Sequence, residues 1–167
     1  VSVLYWNRRF MDEAAQRRDP TDEEAAAAAE LIESLEDWFC QGAVTSRVGD
    51  ALTEIASAPE FAGFNETTDV STDDSSAHAR MAAFTKYSEL IDYLLDHFVK
   101  HLAEGEAARE SVMSDIASTV VALVEDEAKA HFTCVPFIAG ALDYSHFAAL
   151  VSDTQNMLGI SNTDDDA

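Results

Sequence analysis

His97 and His101 stand four residues apart in the segment His-Phe-Val-Lys-His, a spacing that on a helix can present two imidazoles to one metal ion. The segment lacks the glutamate of an HExxH pattern and no third ligand accompanies it, so the pair reads as two histidines on the wet flank of a helix. Glu127 and His131 are also four apart, whereas a di-iron bundle uses paired Glu-x-x-His motifs with a spacing of three, and no second copy exists. Asp69, Ser71 and Asp73 have the odd-position spacing of a calcium loop. An EF-hand would then need glycine and glutamate where this chain has Asp74 and Arg80. Cys40 and Cys134 form no CxxC pair, and Cys134 beside Val135 and Pro136 reads as a buried, inert thiol. Neither a GxSxG elbow nor a glycine-rich phosphate loop occurs. No catalytic residue, metal or cofactor is expected, and a binding module is the better reading. A metal-dependent bundle enzyme using His97, His101 and nearby acids ranks last among the functional classes.

Charge narrows the partners. The 167 residues include 32 acids and 10 bases, a formal net charge of −22. Residues 1–18 hold Arg8, Arg9, Arg17 and Arg18 against Asp12 and Glu13, a net of +2, which leaves −24 for the remainder. A body of that sign repels phosphate backbones and anionic lipid surfaces, which excludes a nucleic-acid reader and direct membrane binding. It attracts a cationic, amphipathic face on another protein. No apolar run approaches a membrane span, the first residues lack the pattern of a signal peptide, and two isolated cysteines fit a reducing compartment. A cytoplasmic monomer is the expectation.

The elements that must position these residues are helical. Alanine, leucine and glutamate dominate, prolines and glycines are few, and no window alternates with period two. The sequence predicts an all-α, single-domain bundle of about six helices over 21–160. A basic helical extension (1–20, helical from 4 to 18, with Trp6, Phe10 and Met11) precedes it, and a disordered acidic tail (161–167) follows. Thr21 and Glu24 form a capping-box pair ahead of a helix whose stripe is Leu31, Leu35, Trp38 and Phe39 and whose stop is Gly42. A helix over 44–57 follows, carrying Val44, Val48, Leu52 and Ile55. Residues 58–76 read as a mobile acidic loop. The longest helix runs from Ser75 or Ser76 to Glu104. Phe84, Tyr87, Ile91, Leu95, Phe98 and Leu102 share one stripe there, flanked by Met81, Leu94 and Val99, with Leu90 further round. An apolar arc that wide suits a central helix packed on several sides, or one whose Leu90–Leu94 flank lines a groove. Further helices are expected over 106–131, through Pro136 to Leu142, and from Ser145 to Leu158.

Phe84-Thr-Lys-Tyr87-Ser-Glu-Leu90-Ile91-Asp92 resembles the F-x-x-Y-x-x-L-Φ-[DE] stretch (Φ aliphatic) of the BART-like domain family, binders of ARF-like small GTPases. Asp143-Tyr144-Ser-His-Phe147-Ala-Ala-Leu150 is similar to the family segment that joins the last two helices. Leu31 to Phe39 and Val44 to Ile55 resemble its first two helices, so the likeness covers about residues 22–158 and leaves the basic segment outside. The resemblance implies a non-enzymatic effector that takes the N-terminal amphipathic helix of a GTP-loaded ARF-like GTPase into an apolar groove, in the cytoplasm, a cilium or a flagellum. That groove would lie among the long helix, the next helix and the Pro136 helix. Its candidate residues are Leu90, Leu94, Met113, Ile116, Val120, Phe137 and Ile138. Phe84, Tyr87, Ile91, Asp143, Tyr144, Phe147 and Leu150 match the family motifs and read as mainly structural. The alternative is an acidic helical scaffold or chaperone that binds a basic protein independently of nucleotide.

Overall fold

Helix-favouring composition and long-period apolar stripes give a purely helical architecture. The structure, a computed structural model, describes residues 21–64, 75–125 and 131–160. Among these residues there are six α-helices, one 3-10 turn and no strand: α1 (Asp22–Phe39), α2 (Gly42–Ala56), the 3-10 turn (Pro59–Phe61), α3 (Ser75–Leu102), α4 (Glu106–Val124), α5 (Cys134–Leu142) and α6 (Tyr144–Leu158). The expected helix over 4–18, the acidic stretch 65–74 and the tail 161–167 lie outside the described residues.

α3 is the central helix its wide apolar arc predicts. It packs on α2, the 3-10 turn, α4 and α5, and buries Phe84, Tyr87, Ile91, Leu94, Leu95, Phe98 and Val99 among others. Leu102 and Met81, at the two ends of the arc, stay about half exposed. Two hydrogen bonds pin α3 to α5. The Tyr87 hydroxyl donates to the Phe137 carbonyl at 2.9 Å, and Ser88 Oγ donates to the Ala141 carbonyl at 2.9 Å. Phe147 of α6 is fully buried within a cluster formed by the rings of Phe61, Phe84, Tyr87 and Tyr144. Gln155 Nε2 then ties α6 to the end of α2 and to the 3-10 turn, donating to the Ala56 and Phe61 carbonyls at 3.0 and 2.8 Å.

Several boundaries differ from the sequence expectation. Thr21 and Glu24 do make the capping box. Gly42, however, opens α2 instead of ending α1. The chain turns at Cys40–Gln41 without a left-handed residue, and the Thr45 hydroxyl takes the Phe39 carbonyl at 2.6 Å. α4 is described to Val124 with Glu125 as its C-cap, and the expected continuation over 126–130 lies outside the described residues. α6 begins one residue early because Asp143 caps it, its carboxylate accepting from the Ser145 and His146 amides. Within the stretch read as a mobile loop, residues 59–64 are anchored in the core, with Phe61 and Phe64 buried and their rings in edge contact at 5.3 Å.

The N-terminus of α5 is held from α1. Glu36 accepts from the Thr133 amide at 2.9 Å and the Cys134 amide at 2.8 Å. Partial burial raises this carboxyl, but the hydrogen bonds from Cys134 and Thr133 outweigh it and hold the group below the usual carboxylate range. A Glu36→Ala change leaves those helix-terminal amides without their acceptor and is expected to cost about 1–3 kcal/mol. Because the folded value is depressed, this contribution is present above the unfolded carboxylate value and is lost as pH falls through the folded one. Urea melts of wild type and variant are therefore expected to differ at pH 7 and to converge in acid. A gap that persists unchanged below about pH 3 would show that the carboxylate charge is not what holds α5.

Candidate functional site

α3 and α4 form a helical hairpin whose connection passes through Gly105 at φ 88°, a left-handed conformation suited to glycine. Arg109 Nε steadies the turn by donating to the Ala103 carbonyl at 3.2 Å. Along the hairpin runs a cleft of about 620 Å³. α3 contributes Glu89, Asp92, Tyr93, Asp96 and Val99, and α4 contributes Glu106, Arg109, Glu110 and Met113. Both sets follow helical spacing. Positions 89, 92, 93 and 96, and positions 106, 109, 110 and 113, are each i, i+3, i+4 and i+7 on one face.

The cleft is amphipathic. The half-buried Met113 and the 47% exposed Tyr93 supply its apolar surface, over a floor that includes the buried Val99. Five carboxylates face a single lining guanidinium, that of Arg109. Two side chains pack on Tyr93: the Arg47 guanidinium lies 5.1 Å from its ring centroid, and the tilted His97 ring 4.5 Å. Lys100 pairs with Asp96 one turn away. Burial raises the Asp92 carboxyl above its usual range, and the Asp96 charge adds to that. A cation entering the cleft would relieve this repulsion.

The seven groove candidates separate clearly. Leu94, Ile116, Val120 and Ile138 are core residues, between 0 and 4% exposed, and the space among α3, α4 and α5 is filled by their packing. They offer a partner no surface in this structure. Leu90 and Phe137 are half-buried against the same core, and Met113 alone of the seven lines the cleft. Among the motif residues, Phe84, Tyr87, Ile91 and Phe147 are buried, while Tyr144 and Leu150 pack partly buried on them. Burial pushes the Tyr87 phenol far above its ordinary value. For Asp143, partial burial acts upward, but the Ser145 and His146 hydrogen bonds prevail and lower its carboxyl, in keeping with its capping role.

The sequence reading missed the acidic faces of both helices. Their signal was present, since the polar residues repeat with the same period as the apolar ones.

Other chemistry-bearing residues do not converge. His97 and His101 are exposed, and no group of three or more His, Cys, Asp or Glu suited to a metal ion exists among the described residues. Cys134 is fully buried, and burial with the adjoining Glu36 carboxylate pushes its thiol upward; Cys40 is shifted the same way. A second pocket, of about 420 Å³, opens at the α5–α6 corner between Phe132, Val135, Pro136 and Leu150, alongside His131, His146 and Asp153. No helix among the described residues is long and apolar enough to cross a membrane. The chain matches no protein-family model, no curated protein and no solved structure.

Proposed function

We propose that this domain is a non-enzymatic binding module that receives a cationic, amphipathic helix of a protein partner along the α3–α4 cleft. The observation that carries this reading is the pairing of accessible apolar side chains (Tyr93 and Met113) with five carboxylates in one cleft. An amphipathic helix buries its apolar anchors at i, i+3, i+4 and i+7 while its flanking lysines or arginines meet the acids. The carboxylates raise the on-rate, and the apolar side chains supply affinity.

The partner class follows from the BART-like resemblance of residues 84–92 and 143–150: an ARF-like small GTPase in its GTP form, which offers its N-terminal helix together with ordered switch regions. The cytoplasm, a cilium or a flagellum is the corresponding place. Calorimetry of the full chain with GTP-locked, GDP-locked and helix-deleted GTPase tests this, and the GTP-locked protein is expected to bind alone. Equal binding by all three would refute the GTPase reading. The charge of the body also supports an acidic scaffold for a basic protein, which would show steep salt dependence without nucleotide dependence.

The site itself makes a separate prediction. Glu106→Gln with Glu110→Gln is expected to slow association several-fold at low salt, with little difference at high salt. Met113→Asp, at a half-buried position, is expected to weaken binding by tenfold or more while the melting temperature stays within a few degrees of wild type. Stopped-flow and calorimetric titrations read the two effects. Unchanged kinetics and affinity in both variants would remove the cleft from the binding surface.

A further inference from the structure

We infer that, before a partner binds, the α3–α4 cleft is occupied by the chain's own basic segment, residues 4–18. This rests on the reading of the cleft as a seat for a cationic amphipathic helix, and adds that residues 4–18 carry the charge and apolar pattern of such a helix. Charge points to it first. Residues 1–18 have four arginines against two acids, the only stretch of net positive charge of that length on a body of −24. The cleft is where α3 and α4 gather five carboxylates around one guanidinium.

Apolar pattern points the same way. Trp6 and Phe10 are one helical turn apart, with Arg9 beside them on the wheel. They match a cleft whose Tyr93 ring is 47% exposed and whose Met113 is only half-buried.

Reach completes the case. α1 has 18 residues and is therefore about 27 Å long. Trp38, near its far end, packs on Phe98 of α3 with ring centroids 5.6 Å apart. A helix over 4–18 spans about 22 Å. Fifteen residues are therefore enough to cover the cleft face of α3, which runs about 15 Å from Glu89 to Val99. A partner helix must then displace the segment, so the protein sets its own threshold for binding.

Hydrogen exchange of the full chain, read by mass spectrometry over residues 1–18, tests the inference at low salt and over a tenfold range of protein concentration. Protection of at least tenfold over the free 1–18 peptide is expected, lost in Glu106→Gln/Glu110→Gln and independent of concentration. Exchange at the free-peptide rate overturns the inference. So does protection that survives the double variant, which places the segment elsewhere, or protection that rises with concentration, which places it on a second copy. A synthetic 18-residue peptide with leucines on one face and lysines on the other separates this from the cleft reading. If the segment fills the cleft nine-tenths of the time, Arg8→Glu/Arg9→Glu should bind that peptide about tenfold more tightly than wild type. Equal affinity for both proteins refutes self-occupancy while leaving the cleft reading standing. Binding to neither protein refutes the cleft reading, and the exchange result still decides where the segment lies.

Discussion

Phe147→Ala should lower stability by about 3–5 kcal/mol, enough to remove a large part of the 5–15 kcal/mol typical of a domain. The side chain is fully buried, and it joins three parts of the fold at once. Its ring centroid lies 5.4 and 5.5 Å from those of Phe84 and Tyr87 on α3, 6.2 Å from Phe61 in the 3-10 turn and 5.9 Å from Tyr144 at the start of its own helix. Truncation opens a cavity that rigid neighbouring rings fill poorly, which places the cost toward the upper end. Thermal melts followed by circular dichroism should show a drop of roughly 10 °C or more. Phe147→Leu keeps most of the volume and should lose less than half as much. A drop of only a few degrees for the alanine variant would mean that the ring cluster does not organise the core.

Leu94→Asp is the second large effect, and it decides between core and groove at that residue. Leu94 is 4% exposed within the hydrophobic core, so an aspartate there is cut off from water. Such a carboxyl is raised above its unfolded value and is tolerated best when neutral. The penalty is therefore smallest in acid and grows as pH rises toward the raised folded value, by about 1.4 kcal/mol per pH unit. Melts should show a gap from wild type that widens from pH 4 to pH 7, with most of the variant unfolded at neutral pH. A folded, wild-type-like Leu94→Asp at pH 7 would return Leu94 to the surface and to the list of partner contacts.

The α3 stripe made the central helix legible because an arc too wide for one neighbour demands several. The capping box at Thr21 was legible because its two partners are three residues apart. What escaped was of two kinds. The Glu36 cap of α5 joins positions 97 and 98 residues apart, and no local spacing encodes it. Phe61 and Phe64 sit in a short, aperiodic stretch next to acidic residues, so their burial depends on α6 and α3 arriving above them. The cleft escaped for another reason. The apolar stripes on α3 and α4 were followed as candidates for both core and groove, and close packing used most of them for the core. The surface left for recognition was the acidic reverse of the same helices, legible only once the hairpin brings the two faces together.

The Glu36 strut also bears on how the chain reaches its native state. α5 has nine residues, fewer than the ~12–15 at which even a good helix becomes marginally stable alone in water. Its first amides wait for a carboxylate made nearly a hundred residues earlier, and its carbonyls wait for Tyr87 and Ser88 of α3. α1 and α3 leave the ribosome well before α5, yet the acceptor on one and the donors on the other have no counterpart until the last third of the chain has emerged. Local helix formation can thus run ahead of synthesis, whereas closure of the bundle is a late step governed by long-range contact.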